Sequence, residues 1–178
     1  VASDTAVAET LTRLAYLRQQ DSSLTGIASG WDALDAITHG WQDTDLIILA
    51  ARPAVGKTAF ALNLARNAAL NNIRPTPVAF FSMEMSRAQL MERLISSESE
   101  VFLEAIKTGR ISDEQERHIH KSGARIATAP LFIDDTPALN IFELRTKCRR
   151  LKNKNKLGFV IIDYLQLMTG IIRNRSGN

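Results

Sequence analysis

An apolar run, a tight loop closing on Gly-Lys-Thr and a helical pattern follow one another without a gap. The run is Leu46-Ile47-Ile48-Leu49, the loop is Ala50-Ala51-Arg52-Pro53-Ala54-Val55-Gly56-Lys57-Thr58, and the helical pattern covers Ala59 to Ala69. Strand, loop and helix in that order make a phosphate-binding P-loop. Backbone N–H groups of the loop and of the helix N-terminus point at phosphate oxygens. Gly56 lets the backbone approach without a Cβ clash. Lys57 reaches the β- and γ-phosphates, and Thr58 offers its hydroxyl to Mg²⁺. The pattern departs from the general motif at one place, where Ala51 stands for the first glycine. The flanking strand and helix supply the context that a chance Gly-Lys-Thr lacks. The chain is therefore expected to bind a nucleoside triphosphate through Ala51, Arg52, Pro53, Ala54, Val55, Gly56, Lys57 and Thr58.

The rest of the chain fits that frame. Its 178 residues suit one domain with a sizeable core. Hydrophobic residues make up 45% and charged residues 23%, the proportions of a globular protein. The net charge of +3 gives only a faint pointer to nucleic acid. One cysteine, Cys148, allows no internal disulfide framework. There is no run of 18 or more apolar residues and no signal-peptide pattern. These features predict a soluble, cytoplasmic protein without a membrane partner.

Residues 1–20 read as a helix, with Val7, Leu11, Leu14 and Ala15 on one face. Spacing alone favours packing on the helix's own domain over docking on a neighbour. Residues 24–45 are punctuated by Gly and Asp, and the first strand is expected at 45–50. Pro75 and Pro77 mark a turn before a second strand, Val78–Ser82. Ser86 with Gln89 forms the pattern of a capping box and opens a helix to about Ser97. Further helices are expected over about Val101–Ile106 and Asp113–Ala124, a short third strand at Leu131–Ile133, and a helix from Asn140 and Glu143 to about Asn153. Phe159–Asp163 reads as the fourth strand. Alternating strands and helices predict an α/β fold with a mainly parallel sheet flanked by helices. Ligands then sit at the carboxyl ends of the strands, where the P-loop, Glu84 and Asp163 all fall.

The acids fit the same chemistry. Phe159-Val160-Ile161-Ile162 ends in Asp163, the form of a Walker B strand. A strand-end carboxylate holds Mg²⁺, a hard cation that keeps several of its waters. Glu84 follows the strand next in sequence to the P-loop. It could polarise the water that attacks the γ-phosphate, or simply complement the dipole of the next helix. The residues alone leave both readings open.

The ordered set Thr25-Gly26-Ile27, Gly30-Trp31-Asp32, Leu34-Asp35, Ala51–Thr58, Ser82-Met83-Glu84-Met85-Ser86, Asp135-Thr136-Pro137 and Ile162-Asp163-Tyr164-Leu165-Gln166-Leu167-Met168 resembles the RecA-like ATPase domain of the bacterial replicative DNA helicases, the DnaB family. The resemblance covers essentially the whole chain, and Ala at the first P-loop position is usual in that family. It implies a RecA-like P-loop NTPase that hydrolyses ATP with Mg²⁺. It further implies a homo-hexameric ring that moves on single-stranded DNA and unwinds forks, with primase and a helicase loader as partners. It implies Lys57, Glu84 and Asp163 as catalytic residues, with Thr58 and Asp163 on the metal. It also reverses the reading of residues 1–23, which become a linker helix docking on the adjacent subunit, with 24–178 as the ATPase portion. By the same resemblance, the expectation is of a segment that the family's collar domain does not precede. Its later strand, arginine finger and DNA-gripping loops would follow Arg173–Asn178. The expectation is a fragment truncated after the Walker B strand, with a gap in the sheet, that binds ATP weakly and hydrolyses it poorly. A RecA-like recombinase or repair ATPase, and an assembly or loader-binding module without turnover, are the competing readings.

Other residues carry less. Arg145, Lys147, Arg149, Arg150, Lys152, Lys154 and Lys156 form a basic run, read as a solvated helix face in preference to a DNA patch, with Ile141, Leu144, Cys148 and Leu151 as the buried stripe. His118 and His120 do not share a helix face, which argues against zinc.

Overall fold

The computed structural model describes residues 3–18 and 24–169. The rest of the expected linker helix and the segment Arg173–Asn178 lie outside the described residues. The chain divides into two units, residues 1–46 and 47–178.

The first unit holds helix α1 (Ser3–Arg18) and helix α2 (Asp32–Thr38). Val7, Leu11 and Leu14 on α1 are each more than half exposed. The Gly- and Asp-rich stretch contains α2, which the sequence reading missed. Ile27 and Trp41 close a single antiparallel bridge there. A Cβ on Gly26 would come within 2.4 Å of the Trp41 carbonyl oxygen, so only glycine allows this approach. Asp35 accepts hydrogen bonds from the N–H groups of Ser29 and Gly30 and fixes the turn before α2.

The second unit is a parallel three-stranded sheet between helices. Strands β1 (Val78–Ser82), β2 (Leu131–Asp134) and β3 (Phe159–Asp163) lie in the order β2-β1-β3. Val78 pairs with Leu131 on one side and Phe159 on the other, and Ser82 pairs with Asp163. Every residue of β1 is buried, as expected of a middle strand covered on both faces. Ala79 and Phe81 face a cluster with Leu139, Leu144 and Leu157. By the pleat, Val78 and Phe80 face the other layer. That layer contains α3 (Lys57–Ala69) and α4 (Arg87–Ser99), and α3 approaches all three strands. Ala61, Ala65, Ala68 and Ala69 are buried on α3, and their small side chains permit that approach.

Helices α5 (Leu103–Thr108) and α6 (Asp113–Thr128) follow α4, and α7 (Ile141–Asn155) returns the chain from β2 to β3. Leu144, Cys148 and Leu151 pack as the expected stripe of α7, but Ile141, expected with them, is 55% exposed because it stands at the first turn, outside the cluster. Three helices start with a full capping box, at Ser86/Gln89, Ser112/Gln115 and Asn140/Glu143. Glu98 near the end of α4 pairs with Arg66 of α3 at 3.7 Å and with Arg125 of α6 at 2.5 Å, tying three helices together.

Residues 45–50, expected as the first strand, form no ladder. A strand is stable only beside a hydrogen-bonded neighbour, and none of the described strands pairs with this stretch. Its apolar side chains are open to solvent, with Leu46 86% and Ile48 76% exposed.

Candidate functional site

The loop before α3 is built by two left-handed residues. Ala54 has φ 64° and Gly56 has φ 102°. A Cβ at Gly56 would meet nothing within 4 Å, so glycine serves the backbone turn there and not a tight neighbour. The Val55 N–H donates to the Arg52 carbonyl and closes the turn. Helix α3 begins at Lys57, and its first helical bond runs from the Phe60 N–H to the Gly56 carbonyl. The N–H groups of Gly56, Lys57, Thr58 and Ala59 therefore have no acceptor within the helix. They lie at the positive end of the helix dipole. Ala51, Arg52, Pro53, Ala54, Val55 and Gly56 are exposed, while Lys57 and Thr58 are half-buried.

Lys57 and Thr58 meet the end of β3. The Thr58 hydroxyl donates to Asp163 Oδ2 at 2.5 Å. Lys57 Nζ lies 3.7 Å from Asp163 Oδ1 and 4.0 Å from the centre of the Tyr164 ring. Asp163 is only 3% exposed. A carboxylate so deep in the protein requires opposite charge and hydrogen bonds, and these two residues provide them, Thr58 from 105 positions away in sequence. Parallel pairing of β1 with β3 puts Asp163 beside Ser82, and the Met83 N–H donates to the Asp163 carbonyl at 3.0 Å.

Glu84 stands in the turn after β1, exposed. Ser82 shapes that turn. Its hydroxyl donates to the Met85 carbonyl and accepts from the Met85 N–H. The same edge of the sheet carries Asp134 and Asp135 at the end of β2. Burial alone would raise the Asp134 carboxyl, but hydrogen bonds from Lys147 and Thr136 outweigh it and hold the group below its ordinary value. Asp135 accepts from the Arg87 N–H and guanidinium, which also lowers it. These links fasten the start of α4 and the middle of α7 to the sheet edge.

The residues fit a magnesium nucleotide. A hydroxyl and a carboxylate oxygen are hard donors of the kind Mg²⁺ takes. A lysine and a helix N-terminus beside them suit an anion. His118 lines a cleft of about 290 Å³ with Glu98, Ser99, Lys121, Ser122 and Arg125. That cleft lies at the far end of α4 from Ser86, away from the strand ends. His120 is exposed and lies 3.7 Å from Glu116.

Tyr164 against Lys57 was not singled out from the sequence. Its adjacency to Asp163 was the available signal, because a strand-end carboxylate brings its neighbour to the same edge. The Lys147–Asp134 and Arg87–Asp135 pairs had no local sequence signal.

The sequence profile described as the DnaB-like helicase C terminal domain matches residues 26–178. The replicative DNA helicase DnaB of Geobacillus stearothermophilus is 41% identical over 167 residues, which is 94% of this chain and 36% of that protein. The chain thus spans about a third of the length of that relative. Among solved structures, the ATPase domain of G40P superposes with a TM-score of 0.86 at 30% identity, covering 98% of this chain and 61% of that one. A DnaB-like replicative helicase, solved to describe its interactions with primase, superposes with a TM-score of 0.83 at 30% identity, covering 93% of this chain and 41% of that one. With the parallel sheet and the strand-end cluster already described, this chain belongs to the family of DnaB-like helicase C-terminal domains.

Proposed function

We propose that this chain is the nucleotide-binding part of a replicative DNA helicase motor, taking ATP with Mg²⁺ at the edge formed by Lys57, Thr58 and Asp163. The observation that carries the reading is the convergence of Lys57 and Thr58 on one buried carboxylate at the end of β3. In this reading the backbone of Ala51–Thr58 holds the phosphates, and Lys57 leaves Asp163 to pair with them. Thr58 and Asp163 hold the metal. Bound Mg²⁺ supplies neutralisation of the charge on the phosphate oxygens. Glu84, free in solvent beyond β1, is the carboxylate that takes a proton from the attacking water.

The whole-protein assignments belong to the same proposal. They are a homo-hexameric ring, translocation on single-stranded DNA, fork unwinding, contacts with primase and a helicase loader, and a cytoplasmic location. The uncovered apolar stripe of α1 supports docking on an adjacent subunit. Among the described residues no helix is long and apolar enough to cross a membrane.

Calorimetric titration of the chain with Mg²⁺·ATP tests the site, with Lys57→Ala as the comparison. Binding by the parent chain that disappears in the variant is the expected result. Equal binding by both would remove Lys57 from the site, and binding by neither would end the reading for this chain.

A further inference from the structure

Tyr164 has no part in the nucleotide reading above, yet its ring touches the lysine on which that reading depends. Lys57 Nζ lies 4.0 Å from the ring centre. The negative face of an aromatic ring attracts a cation within about 6 Å of the centroid, so this contact is well inside its range. The other hold on the same ammonium is looser. Lys57 Nζ stands 3.7 Å from Asp163 Oδ1, beyond the about 2.7–2.9 Å of a charge-assisted hydrogen bond. Asp163 takes its close hydrogen bond from Thr58, through the other oxygen. The carboxylate therefore attracts Lys57 without fixing it, and the ring supplies a second point of hold.

The backbone that carries the ring is anchored on both sides. Before it, Asp163 ends β3, pairs with Ser82 and accepts the Met83 N–H at its carbonyl. After it, the Leu167 N–H donates to the Tyr164 carbonyl and closes a short 3-10 turn, Leu165–Leu167. Met168 then packs against the buried cluster, and the Thr169 hydroxyl donates to the Ala138 carbonyl at 2.7 Å. The lysine is held as well, since it is the first residue of α3 and its side chain is only 29% exposed. The contact thus joins two fixed pieces of backbone. Two loose surface side chains would lose rotamer freedom comparable to what such a contact contributes.

Ring and phosphate compete for one ammonium. When Lys57 leaves Asp163 to pair with the β- and γ-phosphates, it gives up the ring face too. We propose that the Tyr164 ring is the resting seat of the Lys57 ammonium in the nucleotide-free chain, and that this seat sets how readily phosphate draws the lysine away. Tyr164 is then a positioning residue that acts on nucleotide through Lys57. The part that concerns affinity rests on the nucleotide reading above, whereas the seat itself stands on the contact alone.

The test reads the seat first without nucleotide. Protons beside an ammonium over an aromatic face are shielded by the ring current. In two-dimensional ¹H–¹³C spectra, with Lys57→Ala to assign the signal, the Lys57 ε-methylene protons should lie upfield in the parent chain. They should stay there in Tyr164→Phe, which keeps the ring, and return to the ordinary lysine position in Tyr164→Leu. Adding Mg²⁺·ATP to the parent should move them towards the Tyr164→Leu position. By calorimetry Tyr164→Leu should bind Mg²⁺·ATP about 2- to 5-fold more tightly than the parent, the factor that a partly exposed cation–ring contact is worth, and Tyr164→Phe should match the parent. A ring that only packed the strand end would leave the Lys57 protons unshifted and would lower affinity on truncation. An unshifted signal in the parent, a signal unchanged in Tyr164→Leu, a Tyr164→Phe that behaves like Tyr164→Leu, or equal or weaker binding by Tyr164→Leu would each overturn the proposal. The parent and Tyr164→Phe spectra decide the seat even where Tyr164→Leu fails to fold. A chain that binds no nucleotide would end the nucleotide reading and the affinity part with it, while a ring-dependent shift would still uphold the seat.

Discussion

Asp163 serves two neighbours through two different oxygens, Thr58 through Oδ2 and Lys57 through Oδ1. The substitution Asp163→Asn keeps the volume and an acceptor for Thr58 but removes the charge. ATP affinity without metal should then rise, since Lys57 is released and one repelling carboxylate is gone. The gain on adding Mg²⁺ should shrink, and titrations with and without a chelator read both. Glu84 makes a different prediction, because it stands in solvent and makes no hydrogen bond or ion pair among the described residues. Glu84→Gln should leave Mg²⁺·ATP binding unchanged and lower the hydrolysis rate of the assembled protein by about 10²–10⁴, measured by phosphate release. A fall in nucleotide affinity would instead place Glu84 among the binding groups. Cys148 is half-buried on α7, and burial pushes its thiol up. Its alkylation at neutral pH is expected to be slower than that of a free thiol, followed by mass spectrometry.

The elements with strong local signals were legible in the sequence. Strands β1 and β3 fall on the residues expected, because each is an apolar run ended by a polar residue. The capping boxes at Ser86 and Asn140 mark their helix starts, and the structure forms both reciprocal pairs. The third, at Ser112 and Gln115, follows the same rule and went unread. Replacing Ser86 or Ser112 with Ala should cost about 0.5–2 kcal/mol each, and Leu144→Ala, from the buried cluster, about 2–5 kcal/mol, by denaturant unfolding. Helix α2 was missed because Gly30, Gly40 and the acids around it read as loop, and seven residues are too few for periodicity to show. Residues 45–50 were misread for the opposite reason. Local propensity was high, but strand formation depends on a partner, which composition does not reveal. The convergence at Asp163 was legible in outline, since strand-end acids and a P-loop share an edge in parallel sheets. The contacts of Tyr164, Arg87 and Lys147 were not, because they depend on the pairing of distant segments.

For the molecule as a whole, the lowered Asp134 carboxyl sets a pH dependence. A carboxyl held below its unfolded value stabilises the fold fully at neutral pH, and this contribution is lost as pH falls from about 4 through the folded value. Unfolding midpoints should therefore drop on acidification over that range, and less steeply in Asp134→Asn. The exposed run Leu46–Leu49 makes a second prediction. Concentration-dependent association is expected by light scattering, and Ile48→Lys should reduce it. The sheet itself imposes an order of events. Val78 finds its partner Phe159 only after the intervening helices have been threaded, and Thr58 meets Asp163 across 105 positions. Such distant pairings form late, because the loop between them must close first. During synthesis Lys57 and Thr58 leave the ribosome long before Asp163, so the cluster proposed to take the nucleotide is complete only once β3 has emerged and docked.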